Sequence, residues 1–420
     1  MDIMDALKRT EGLVTDPAVK AISLAKETAF TRKRAGGMEF PDALRFMLDM
    51  NKTALQARLN KFYGQAKGGK AISQPAFTKL RANFDHTPFE IILRDLVEEE
   101  YSGKYDLATW HGLHVFAVDG SYLQLPQEPA VIKEFGVRGG EDKRGVVRAG
   151  AGASVLYDVL HGWALDPIIT DCDMNERLQL EKHIGYLCGA LPNIAKNALF
   201  LLDRGYPSHK IFALMEQEGL RFCIRCQRSF LPEVSRAPLG STAITLKSGQ
   251  SLRVVKFLLS SGETETLLTN LFDLPEDEFP ALYAMRWGVE TMYHRLKQIV
   301  CVEQFSGRTP NSVRQDFWAS FVMLLFAAMF QRQADNEIAI RQESLPVKHL
   351  NRSRATHVIV TLRDRFIFSA LCGYPLLAKL ELRAVIDELA RVVSPVRPDR
   401  SFPRDPRVNS IANPFLKSVL

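Results

Sequence analysis

The sequence predicts an α/β protein in which a mixed sheet follows a helical N-terminal region. Three observations carry this. Residues 1–105 place apolar side chains at helical spacings. From about Leu113 onward, short and fully apolar runs alternate with helical stretches. The composition is that of a packed chain, with 46 % hydrophobic and 24 % charged residues in a length of 420. A chain of that length has room for two to four domains at about 100–200 residues each.

The same composition excludes a disordered or collagen-like chain. Six cysteines do not make a disulfide scaffold at this length. The longest uninterrupted apolar run, Phe321 to Phe330, falls short of the roughly 20 residues a membrane span needs. The N-terminus carries Asp2 and Asp5 and lacks a basic-then-apolar leader. A reducing, cytoplasmic protein without a membrane partner is expected.

The first helical stretch groups Phe40, Ala43, Leu44, Phe46, Met47 and Leu48 after Pro41, a good first-turn residue. Leu55, Leu59 and Phe62 follow at i, i+4 and i+7. Ser73 is a suitable cap for the stretch ending at Arg81. Short helices joined by turns such as Lys67 to Lys70 are compatible with a helix-turn-helix-like unit. Val115 to Val118 then reads as a buried strand, as do Ala151–Tyr157, Gly162–Thr170, Ala198–Leu202 and Arg221–Arg225. Arg177–Leu191 and Lys210–Glu218 are helical between them. Leu252–Leu259 and Thr264–Leu271 flank Ser260-Ser261-Gly262 and predict a hairpin. A helix is expected from Phe279-Pro280 to about Val300, and a long apolar core helix over Ser312–Arg332. The end of the chain, from Pro395 to Arg407, is rich in Pro and Arg and predicts no regular element.

Positive charge is concentrated at one end. Residues 1–81 hold 15 lysines and arginines against 8 acidic residues, whereas the remaining 339 hold 39 against 40. A basic N-terminal module suits a polyanionic partner, and a solvated helical surface produces the same count.

Two aspartates follow apolar strands and are themselves followed closely by glycine: Asp119-Gly120 and Asp203-Arg204-Gly205. Each alone is ordinary turn chemistry. Together, at strand ends where open α/β sheets place their sites, they are suited to a hard divalent cation. The helix after Phe279 carries Tyr283, Arg286, Glu290 and Lys297, which fall within about a 60° arc of an ideal helix. A salt-bridge ladder is one use of that stripe. The other completes a carboxylate trio able to hold two Mg²⁺ ions about 3.5–4 Å apart, the arrangement that serves phosphodiester chemistry.

These residues resemble the DDE transposases of bacterial insertion sequences. Within them, the insertion-sequence-four family is the nearest in pattern. Its signature, Tyr-x2-Arg-x3-Glu-x6-Lys, stands here as Tyr283, Arg286, Glu290 and Lys297 with unaltered spacing. Val118 to Ser121 and Leu202 to Tyr206 resemble the blocks around the family's two aspartates. The resemblance covers about residues 30 to 335, and the Arg/Pro-rich tail is similar in character to family C-termini.

The resemblance implies an RNase H-like catalytic core with a β-rich insertion, plus an N-terminal helical domain and a C-terminal helical segment. The implied division is 1–105 for DNA-end binding, 106–225 and 276–335 for the core, 226–275 for the insertion and 336–420 for the C-terminal segment. It implies cut-and-paste DNA transposition in the bacterial cytoplasm, at the nucleoid. Asp119, Asp203 and Glu290 would be the catalytic, metal-binding triad, using two Mg²⁺ ions with Mn²⁺ as a substitute. Tyr283, Arg286, Trp287 and Lys297 would contact the DNA end. Double-stranded transposon ends and target DNA would be the partners, bound by a homodimer in the synaptic complex. Relatives free their ends through hairpins with a flipped base held by the insertion, for which Phe230, Phe257 and Phe272 are the candidates here. A related nuclease without strand transfer, and a regulatory copy that only binds ends, remain the alternatives.

Other patterns carry less. Cys223-x-x-Cys226 lacks a second pair at metal spacing and reads as strand cysteines, with Cys301 and Cys372 distant. Arg138 to Gly145 is glycine-rich without the Gly-Lys-Ser/Thr ending of a phosphate loop. It reads as a surface loop whose Lys143 and Arg144, with Arg148, can reach a DNA backbone. No Ser-His-Asp arrangement stands out, and His294 on the signature helix is as well suited to solvent as to a role.

Overall fold

The computed structural model describes residues 1–31, 37–49, 53–64, 69–138, 148–343, 351–353, 375–391 and 393–395. Lys143, Arg144, Cys372 and the Arg/Pro-rich stretch from 396 lie outside the described residues. The chain divides into two compact units. One comprises Met1–Leu96, Gln124–Gly150 and His294–Leu420, and the other Val97–Leu123 and Ala151–Tyr293.

The first unit opens with α1 (Ile3–Thr15) and α2 (Pro17–Ser23), capped by Asp2 and Asp16, whose carboxylates accept the Met4 and Ala18 N–H groups at 2.7 Å. In α3 (Phe40–Leu48) the six apolar side chains named above are all buried. The spacing of Leu55, Leu59 and Phe62 places them inside α4 (Leu55–Phe62). Ser73 caps α5 (Gln74–Arg81) by accepting the Ala76 N–H at 3.4 Å. The α6 helix (Thr87–Glu100) begins in this unit, and α7 (Pro129–Phe135) also belongs to it.

The second unit is one eight-stranded sheet in the order β3-β2-β1-β4-β5-β8-β7-β6. Its strands are β1 (His114–Gln124), β2 (Gly150–Asp158), β3 (Trp163–Thr170), β4 (Ala198–Leu202), β5 (Arg221–Arg225), β6 (Gly240–Thr245), β7 (Ser251–Leu258) and β8 (Thr264–Thr269). The β1, β4 and β5 strands are parallel neighbours, and β2 pairs with β3 antiparallel. Every residue of β2 and β4 is buried, as expected of strands covered on both faces. The connecting helices are α8 (Glu176–Ala190), α9 (Pro192–Ala195), α10 (His209–Gln217) and α11 (Pro232–Arg236), followed by α12 (Phe279–Ala284) and α13 (Trp287–His294).

The 226–275 segment supplies β6, β7 and β8, and β8 pairs antiparallel with β5, so these strands extend the core sheet. Hydropathy along the chain reports that strands exist but not which edge they join. Next, β1 does not end at Asp119 but continues to Gln124. The boundary at 335 also falls inside α14 (Pro310–Glu343), which belongs to the helical unit from His294 onward.

The α14 helix packs on α1, α3 and α7. It is long and apolar enough over Pro310–Ile340 to cross a membrane, yet 89 % of its most apolar window is buried. That is the burial of a core helix, and its interruption by Gln and Arg hid its length from a search for unbroken apolar runs. Arg81 of α5 anchors it. The guanidinium donates to Asp316 at 2.9 Å, Gln315 at 2.9 Å and Ser306 at 2.7 Å. The Arg81 and Asp316 side chains are only 4 % and 6 % exposed. Removing one member strands a buried charge, so Arg81→Ala is expected to cost about 3–5 kcal/mol in urea unfolding. A loss under about 1 kcal/mol would show that the pair does not anchor α14.

Candidate active site

The parallel pairing of β1 and β4 levels the two aspartates. Ala117 stands opposite Leu201, and each aspartate lies two residues beyond that pair. Neighbouring strands run about 4.8 Å apart, so Asp119 and Asp203 share one edge of the ladder. The Asp119 carboxylate accepts the Gly120 N–H at 2.9 Å.

The signature helix is not a single regular one. The Met285 and Arg286 N–H groups bond three residues back, to Leu282 and Tyr283, at 3.1 Å. This tightened turn separates α12 from α13. A π-helical turn, Arg295–Ile299, then precedes Val300. The constant angular step that aligned four side chains on one stripe therefore fails at both places. Lys297 falls in the helical unit, where burial lowers its pKa and Glu303 and Arg138 are its charged neighbours.

Two phenols tie this segment to the aspartate strands. The Tyr283 hydroxyl donates to the carbonyl of Leu202, just before Asp203, at 3.2 Å. The Tyr293 hydroxyl lies 3.0 Å from the carbonyl oxygens of both Asp119 and Ala153. Gly288 lets α13 approach β2, since a Cβ there would sit 3.1 Å from the Tyr157 ring. Tyr283 is thus a buried side chain in the sheet unit's apolar cluster, rather than an exposed stacking platform. Burial pushes its phenol well above the ordinary range.

Arg286 is buried between charges and rings. Its Nη2 donates to Glu290 Oε1 at 2.5 Å, and its guanidinium stands 5.8 and 5.7 Å from the Tyr283 and Trp287 ring centres. Burial works against its charge, but Tyr283, Glu290 and Asp203 outweigh that and raise its pKa. Trp287, by contrast, is 46 % exposed. Among the three aromatic candidates of 226–275, Phe272 is exposed, Phe257 packs against the apolar cluster and Phe230 meets Phe212 edge-on.

The electrostatics bring the three carboxylates into one field. Asp119 is pushed up to about 7, chiefly by burial, with Glu290 and Glu176 adding to the rise and Arg286 opposing it. Asp203 Oδ1 is buried without a hydrogen-bond partner. Orphaned, desolvated carboxylate oxygens of this kind fit a hard, oxygen-liganded cation. Among the described residues no three His, Cys, Asp or Glu groups form a ready metal cage, and Glu290 is engaged by Arg286. Asp119 and Asp203 therefore present oxygens suited to such an ion, while Glu290 is held by Arg286.

The sequence pattern missed Tyr293, which anchors α13, and Glu176, whose charge reaches Asp119 and Asp203. The glycine after each aspartate was the available signal, because it marks crowding. A Ser-His-Asp chain was also missed: Ser154 Oγ to His183 Nε2 at 2.9 Å and His183 Nδ1 to Asp166 at 2.7 Å. Its members come from β2, α8 and β3 and are at most 2 % exposed, so it ties α8 to the sheet and offers no substrate access. Cys223 and Cys226 are buried, and burial raises both thiols.

Comparison with known proteins shows the family. The family described as Transposase DDE domain matches residues 110–326. The chain belongs to that family. Its relatives include InsZ of Escherichia coli (strain K12), named as a transposase, at 26 % identity over 53 % of this chain and 69 % of that protein. A transposase named for insertion sequence element IS5377 of Geobacillus stearothermophilus is 25 % identical over 29 % of this chain and 33 % of its own length. The fold of this DDE transposase is similar to that of piggyBac transposase in a synaptic complex with hairpin DNA. The TM-score is 0.51 at 14 % identity, covering 95 % of this chain and 87 % of that one.

The structural role of the buried Ser-His-Asp chain is open to direct test. Ser154→Ala is expected to cost about 1 kcal/mol in thermal unfolding, and a serine-directed fluorophosphonate is expected to leave native protein unlabelled. Labelling at Ser154 would overturn the structural assignment.

Proposed function

We propose that this transposase carries out cut-and-paste movement of an insertion sequence, cleaving its terminal inverted repeats and joining them to target DNA. The observation that carries the proposal is the levelling of Asp119 and Asp203 on adjacent parallel strands, with Glu290 in the same electrostatic field. Asp119, Asp203 and Glu290 are assigned as the ligands of two Mg²⁺ ions, for which Mn²⁺ can substitute. Ions held by these residues would supply activation of the attacking oxygen and stabilisation of the leaving one.

The chain's own residues prepare that chemistry. Tyr283 and Tyr293 hold the signature segment against the aspartate strands. Arg286 balances the carboxylates, and its bond to Glu290 keeps that side chain inside the cluster. Trp287 presents an exposed indole suited to stacking on a base at the DNA end. Lys297 is assigned to the DNA backbone as the last member of the insertion-sequence-four signature. The acting species is taken to be a homodimer at paired ends in the bacterial cytoplasm, at the nucleoid.

The basic helical region is assigned to end recognition. A groove of about 510 Å³ within it is lined, among the described residues, by Lys20, Lys26 and Lys79 against a single acidic residue, Glu39. Deleting residues 1–81 is a poor test of this role, because α1, α3 and Arg81 pack against α14. Charge reversal leaves that packing intact.

Asp119→Ala, Asp203→Ala and Glu290→Ala are each expected to abolish cleavage of end-bearing DNA in Mg²⁺ while end binding persists in a mobility-shift assay. Joined products with wild type, lost on adding EDTA, support the proposal. Cuts without joining indicate a nuclease, and shifts alone indicate a binding protein. Lys20→Glu, Lys26→Glu and Lys79→Glu together are expected to weaken end binding. They should also flatten its dependence on salt, because a protein that neutralises fewer phosphates displaces fewer counterions from the DNA. An unchanged salt slope would show that the groove does not meet DNA.

A further inference from the structure

Glu176 opens α8 directly after its N-cap, Asn175. Its carboxylate is wedged between the two aspartate turns. Glu176 Oε2 lies 2.7 Å from where a Cβ on Gly205 would stand, and at Gly120 the same position is 2.6 Å from Met174 Cε and 3.1 Å from Glu176 Oε1. Neither glycine has positive φ, so both provide room rather than conformational freedom. Burial and the neighbouring Asp203 raise the Glu176 pKa.

A second observation points to a ligand at this place. Tyr206 is 1 % exposed, and its hydroxyl has no hydrogen-bond partner. The groups that act on it electrostatically include Glu176, Asp119 and Asp203. Buried hydroxyls are ordinarily satisfied by protein or by ordered ligand and water, and here the carboxylates do not satisfy it.

We propose that Glu176 is a fourth carboxylate of the divalent-cation site, held between the Asp119 and Asp203 turns by the space that Gly120 and Gly205 leave. The proposal rests on the assignment of Asp119 and Asp203 as cation ligands. The competing account makes Glu176 an acidic first-turn residue that merely complements the helix dipole. That account needs no glycine opposite the carboxylate and no cation.

Mn²⁺ binding to the full-length protein, followed by the electron paramagnetic resonance of free Mn²⁺, separates the two. Glu176→Gln is expected to raise the Mn²⁺ dissociation constant at least about tenfold, as is Asp119→Asn. Gly205→Ala is expected to do the same, because its methyl displaces the carboxylate. It should add nothing in a Glu176→Gln background. Glu181→Gln, further along α8 and paired with Lys210, serves as the control and should bind as wild type does. Should Glu176→Gln fail to fold by circular dichroism, Gly205→Ala decides, since its new methyl meets only the end of a flexible side chain. Wild-type binding by Glu176→Gln and Gly205→Ala, with Asp119→Asn impaired, overturns the role of Glu176 alone. Wild-type binding by Asp119→Asn and Asp203→Asn, or no Mn²⁺ uptake by the wild type, overturns the cation site and this inference together.

Discussion

The parallel register of β1 against β4 is the constraint on which the site depends. Pairing Ala117 with Leu201 carries both strands to one edge with an aspartate on each. A shift of one residue would put one aspartate on the opposite face, because side chains alternate along a strand. The register is secured by burial: Val115, Phe116, Ala117, Leu199, Phe200 and Leu201 are fully enclosed. Slipping them would expose or overpack the centre of the sheet.

Gathering carboxylates at that edge costs desolvation and mutual repulsion, and the surrounding structure is arranged to hold them despite it. Two tyrosine hydroxyls bond to backbone carbonyls of the aspartate strands and hold α12 and α13 in place. Arg286 brings positive charge into the cluster while its own side chain is 4 % exposed. The upward shift of Asp119, which comes chiefly from burial, and the orphaned oxygen of Asp203 reflect that cost.

The helical unit obeys a different rule. Its core is assembled around α14, whose apolar length serves packing, and the Arg81–Asp316 pair fixes where α5 meets it. A buried ion pair of this kind sets position more than it adds stability, since desolvation offsets much of its attraction.

Local patterns were legible in the sequence. Apolar periodicity located α3, α4 and the buried strands, because each depends on neighbours a few residues away. The signature-like spacing and the two aspartates followed closely by glycine pointed to Asp119, Asp203 and Glu290, the residues assigned under the proposed function. Tertiary structure alone decided what depends on partners distant along the chain. It joined β6 to β8 to the core sheet, buried Arg286 and Tyr283, and assembled Ser154, His183 and Asp166 from three elements. It also set Glu176 between two glycines, one 56 residues before it and the other 29 after it. The reason is physical. A carboxylate's environment is made by what packs around it, and one-dimensional spacing does not encode where a tightened turn or a π turn will break the regular step of a helix.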